Sequence, residues 1–267
     1  MVPIDQATDR LAADAAWKPL YRVGGVAALM SGVFFRRNLA AEISLFSPQR
    51  QPDTIQDWFS LLQSHTLLAL SYLNFFDLFN YAFVGLMLLA LYVLLRRVNR
   101  SYMAIATALG LAGITVAIAS STALSTLTLS DQFARSTNDA QRSTLLAAGQ
   151  AMLAINPFSN PDAHPGAGGY ISLLFIALAG MITSLVMLTS DLFSRPTAYV
   201  GILAAGLDLA YCIAFVVMPR EDGALLALSF LPAAGLLLMI WHIVVGWRLY
   251  QLSRTSKMSV SGERAAA

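Results

Sequence analysis

Apolar residues in this chain come in long unbroken runs separated by short polar turns. The runs go from near Tyr21 to Phe35, over residues 75–95, from Tyr102 to about Leu129, from Tyr170 to about Thr189, from Thr197 to Met218, and from Ala224 to about Tyr250. Each approaches the ~20 residues a helix needs to cross a bilayer. In lipid, a helix satisfies its own backbone hydrogen bonds, whereas an open strand cannot. The pattern therefore predicts an all-α polytopic membrane protein: a six-transmembrane-helix bundle with short amphipathic surface helices on the outer face. The most telling run is Tyr72 to Arg97, YLNFFDLFNYAFVGLMLLALYVLLRR, which places Asn74, Asp77 and Asn80 in its opening turns. Lipid tolerates such groups poorly, so another part of the chain must face them.

The polar intervals predict the rest. Residues 1–17 read as a cytoplasmic segment, residues 18–250 as the transmembrane domain, and residues 251–267 as a disordered cytoplasmic tail. The opening residues carry Asp5, Asp9 and Asp14 and do not resemble a cleavable signal peptide. Beyond Phe35 come Arg36 and Arg37, then LAAEISLF. Either the first span ends at Phe35 with both arginines snorkelling at the interface, or the helix continues to Phe46 with both buried. Residues 18–35 give about 27 Å, just enough to cross, which favours the first. Residues 47–60 form a polar connector, and Leu61 to Ser71 would extend the second helix outside the core. Asn138 to Ile155 puts Leu145, Leu146, Met152 and Leu153 on one face around Gly149, the pattern of an amphipathic surface helix.

Charge chooses the orientation. With both termini inside, 11 lysines and arginines fall on the cytoplasmic side and 6 outside, which satisfies the positive-inside rule. Trp17, Tyr21, Tyr102, Tyr199, Trp247 and Tyr250 gather near the same inner boundary, where amphipathic rings prefer to sit. The expected location is a prokaryotic inner membrane. A composition of 57% hydrophobic and 12% charged residues excludes an ordinary water-soluble domain, and a net charge of +2 argues against a nucleic-acid partner. The lone Cys212 rules out an internal disulfide and a multi-thiolate metal site. No phosphate-binding glycine loop and no paired metal-ligand motif is present, so no cofactor is expected.

Candidate chemistry lies at two depths. Asp77 stands about 27 Å up the second helix and Arg36 about 22 Å up the first, so the two can meet near the outer surface. Asn74, Asp77 and Tyr81 share a face at helical spacing, with Asn80 at its flank. Together with Arg36, Arg37 and Glu42 they would form a polar mouth, or else satisfy one another at the headgroup level. Asp208 lies about 14 Å deep in the fifth span with Tyr211 and Cys212 on its face. It needs either a water-filled cavity or a protonated state held by a hydroxyl of the third span. The hydroxyls of that span, Thr115 to Thr128, are expected to bond back to their own helix, with Gly110 and Gly113 allowing close packing. Ser184 and His242 fall at similar depth, but no nucleophile turn surrounds the serine, so an intramembrane serine enzyme has little support.

The opening YRVGG (Tyr21 to Gly25), the turn LFSRPTAYVG (Leu192 to Gly201) and the aromatic last span around Trp241 carry a resemblance over most of residues 18–250. The chain resembles a prokaryotic family of six-helix integral membrane proteins catalogued only as a domain of unknown function. That resemblance implies a six-helix bundle and no assigned activity. It also implies an acid in the last span ahead of the tryptophan, where this chain has Gly235 and apolar neighbours. The leading functional expectation is binding or passage of a small polar, ionic or lipid ligand. The alternative is a structural or accessory subunit that packs against a membrane protein partner or a second copy.

Overall fold

The computed structural model describes residues 16–34, 52–155, 167–217 and 220–254. Every regular element among them is a helix. The first, α1, covers residues 16–34. It is followed by α2 (Ile55–Ser64), α3 (Thr66–Tyr72), α4 (Asp77–Leu95), α5 (Arg100–Ala119), α6 (Ala123–Arg135), α7 (Asp139–Ile155), α8 (Ala167–Leu188), α9 (Arg195–Val217) and α10 (Arg220–Arg254). The helix starts follow from local chemistry. Thr54 caps α2 by accepting from the Asp57 N–H, and Asn99 caps α5 by accepting from the Tyr102 N–H. Ser194 caps α9, and Pro196 falls in the first turn, where its missing N–H removes no helical bond.

Among the described residues five stretches are long and apolar enough to cross a membrane: Asp77–Leu95, Arg100–Arg135, Gly168–Leu188, Arg195–Ala214 and Pro232–Arg254. The protein is thus a multi-pass membrane protein by the character of its helices. Consecutive members of the bundle run antiparallel. In α5, Gly110 meets Leu88 of α4 and Ala179 of α8, while Gly113 meets Ile176 and the Ser172 carbonyl of α8. Helix α1 lies antiparallel between α4 and α10. A Cβ on Gly25 would come 2.8 Å from the Tyr250 nitrogen and 2.9 Å from the Gly246 carbonyl, so the α1 and α10 backbones touch where neither residue has a side chain. The core between these helices includes Met87, Leu91, Met103, Met187, Trp241 and Val245. One end of the bundle gathers Arg96, Arg97 and Arg100, the α8–α9 turn, and the close of α10; it is termed the basic end.

At the opposite end α2, α3, α6 and α7 build a cap with its own apolar cluster, including Trp58, Phe59, Leu62, Leu70 and Leu73. Two expectations change here. The third apolar run does not continue as one helix to Leu129: it breaks at Ser120–Thr122. Beyond the break α6 turns Ala123, Thr126 and Ser130 inward, and the Ser130 hydroxyl donates to the Phe59 carbonyl at 3.1 Å. Nor does Leu61 to Ser71 extend the second helix. It is divided at His65, and residues 73–76 turn before α4, with Asn74 at φ 58°. A straight extension could not bring the faces of Trp58 and Leu70 into one cluster, and asparagine tolerates the left-handed conformation the turn requires. The predicted helix at 138–155 forms as α7, with Leu145 and Gly149 buried and Gly149 seated on Phe59 and Ile55. Helix α10 runs to Arg254, four residues into the stretch expected as tail.

Candidate functional site

Of the predicted outer group, Arg36, Arg37 and Glu42 lie outside the described residues. The other four do not form one face. Asn74 belongs to the turn before α4 rather than to the helix, so the helical spacing that grouped it with Asp77 and Tyr81 does not apply. Asp77 opens α4, where its carboxylate suits the positive end of the helix dipole. Asn80 is buried against α1, and the Ser31 hydroxyl donates to its Oδ1 at 2.6 Å. Tyr81, one residue on, points instead toward Ser172 of α8. The Ser172 Oγ is buried and has no hydrogen-bond partner. Asn80 and Tyr81 thus serve two different helix interfaces.

Asp208 lies apart from that group, near the middle of α9. It is only 5% exposed. Among the described residues no hydrogen bond or cation reaches its carboxyl group, and the Cys212 thiol lies one turn on. Tyr211 and Cys212 are buried on the same face, and the Tyr170 hydroxyl of α8 donates to the Cys212 carbonyl at 3.2 Å. Gly180 of α8 sits against Ala205 and Gly201 sits against Trp241 of α10, so Asp208 lies in the seam where α9 meets both neighbours.

About two turns toward the basic end, that seam holds a second unsatisfied point that sequence reasoning missed. A Cβ on Gly201 would overlap both the Ser184 hydroxyl and the Trp241 indole nitrogen. Ser184 is 0% and Trp241 3% exposed, and neither polar atom has a hydrogen-bond partner. Two donors therefore converge on one glycine, at spacing a single water or acceptor atom would bridge. The serine makes no bond to His242, whose Nδ1 contacts the Leu238 carbonyl of its own helix at 2.7 Å, so no Ser–His pair exists. Among the hydroxyls of the third run, Thr107, Thr115, Ser120, Thr126 and Thr128 each donate to the carbonyl four residues earlier, whereas Thr122 and Ser130 donate across to the Met152 and Phe59 carbonyls.

Residues 20–249 match the family described as Domain of unknown function (DUF4386). The chain belongs to that family. No curated protein and no solved structure matches it. Within this DUF4386 member several of the residues that carried the resemblance make helix contacts. Gly24 and Gly25 let α1 approach α4 and α10, Gly201 admits Ser184 and Trp241, and the Leu192 carbonyl accepts from Arg248 Nε at 2.8 Å. The signal that could have found the Gly201 point was already in the chain: a glycine inside a span, with a serine and a tryptophan at matching depth on the flanking spans.

Proposed function

We propose that this DUF4386 protein binds or passes a small polar, ionic or lipid ligand through its helix bundle, with Asp208 as the central group. The observation that carries this reading is a carboxyl group buried in a span with no hydrogen bond or cation among the described residues. Burying such a group unpaired is expensive, and intramembrane acids are retained chiefly where they serve a pathway or a ligand. The unpartnered Ser184 and Trp241 donors in the same seam, and Ser172 and Tyr170 toward the cap, support a polar route along α8 and α9. Asp208 and Tyr211 form the inner part of the proposed site. Asp77 and Asn74, with Arg36, Arg37 and Glu42, are proposed as its outer mouth, while Asn80 and Tyr81 hold the helix interfaces behind it.

In this reading α1 is a sixth span. Its first turns carry Lys18 and Arg22, but its remainder is apolar and packed between α4 and α10. Both termini then lie on the cytoplasmic side of a prokaryotic inner membrane, the helices α2, α3, α6 and α7 cap the outer face, and residues 18–250 are the working domain. Native mass spectrometry of protein released gently from its own membranes tests the proposal. The expected result is an added mass of a few hundred daltons that Asp208→Asn loses while keeping its thermal stability. A bare chain, or one that travels only with another protein, would instead support an accessory subunit.

A further inference from the structure

At the basic end the α8–α9 turn and the last turns of α10 enclose an open cleft of about 420 Å³, within the range of small-ligand sites. Asp191, Ser194, Thr197, Trp247, Arg248 and Gln251 line it, with Leu192, Phe193 and Val244 as its apolar walls. Arg248 is held by its Nε bond to the Leu192 carbonyl, so the guanidinium is fixed at the turn while its terminal N–H groups carry no hydrogen bond among the described residues. Ser194 and Thr197 bring two hydroxyls, 2.8 Å apart, at the start of α9. Asp191 is exposed, and among the described residues no cation pairs with it. The cleft therefore offers one fixed positive and one negative group that do not neutralise each other.

Its level in the membrane is marked by aromatics. Trp247 is 56% and Tyr199 55% exposed at this end of the bundle, as expected of rings at a headgroup layer. From the cleft, Gln251, Trp247, Val244 and Ile240 follow one face of α10 toward the bilayer interior, and the last three are exposed apolar groups. We propose that this cleft holds the headgroup of a zwitterionic aminophospholipid, with Arg248 on the phosphate, Asp191 on the ammonium group, and an acyl chain along Val244 and Ile240. A fixed guanidinium with free donors is suited to a phosphate. A carboxylate at the rim disfavours a purely anionic headgroup and favours one that carries its own cation. This site is separate from Asp208 and does not depend on it.

The test is native mass spectrometry of the delipidated full-length protein titrated with phosphatidylethanolamine or phosphatidylglycerol of identical acyl chains. Wild type is expected to retain the ethanolamine lipid about threefold better, the factor an exposed charge pair supports. Asp191→Asn, which alters an exposed side chain, is expected to abolish that preference. Arg248→Gln is expected to weaken both lipids roughly tenfold. Equal retention of the two lipids by wild type, or an unchanged preference in Asp191→Asn, overturns the proposal even if Arg248→Gln fails to fold. Binding of soluble phosphoethanolamine as tightly as the lipid would assign the cleft to a free phosphate compound and overturn the lipid assignment.

Discussion

Ser31 and Asn80 show how a polar residue is accommodated in an apolar bundle. Asn80 enters α4 one turn after Asp77, yet it faces α1, where the Ser31 hydroxyl donates to it at 2.6 Å in a buried contact. Hydrogen bonds between membrane helices are worth about 0.6–2 kcal/mol. Ser31→Ala should therefore destabilise the protein by roughly that amount, because it leaves a buried amide oxygen without a donor. The double variant Ser31→Ala/Asn80→Leu should recover part of the loss. Thermal unfolding in detergent measures both, and equal stability of wild type and Ser31→Ala would remove this bond from the account of how α1 docks. Asp208 presents the opposite situation: it is as deeply buried as Asn80 but has no such partner. That contrast, more than the presence of an acid in a span, separates a structural polar residue from a functional candidate.

Among the helices, the bundle and the cap are built on different principles. The spanning helices approach closely through small residues, and their exposed large apolar groups, such as Leu203, Ile213 and Val216, suit lipid. In the cap, amphipathic helices bury one face each around Phe59 and Leu62, as in a water-soluble fold. Gly149 is the hinge of that packing, since an added Cβ would lie 2.7 Å from the Phe59 ring and 2.8 Å from Ile55. Gly149→Leu should lift α7 off α2 and expose it to limited proteolysis, while the spanning helices keep their protection. Cleavage of α7 at the wild-type rate would show that its docking does not depend on this contact. The break at Ser120–Thr122 belongs to the same division of labour: it lets one apolar stretch of 36 residues serve both the bundle and the cap.

For the molecule as a whole, orientation is the decisive expectation. If α1 spans, both termini share a side, and the basic end with Arg96, Arg97 and Arg100 faces the cytoplasm. A fluorescent protein fused after Ala267 should then mature, and alkaline phosphatase at the same place should stay inactive. A reporter in the α6–α7 turn at residues 136–138 should behave in the opposite way. Phosphatase activity at the C-terminus would place the basic end outside and overturn this orientation.

The sequence by itself determined the class, the location of the main apolar runs, and the presence of α7. These depend on local quantities, the run of apolar residues and its period, that need no knowledge of neighbours. It also singled out Asp208, because an acid in a span is conspicuous in one dimension. Tertiary structure alone decided that Asn80 and Tyr81 face different helices, that Asn74 sits in a turn, and that the third run bends into the cap. It alone brought Ser184 and Trp241 onto Gly201, and Asp191 and Arg248 into one cleft. Those pairs are 57 residues apart in each case. Their meeting is set by the register and rotation of packed helices, which side-chain shape fixes only once the bundle is assembled.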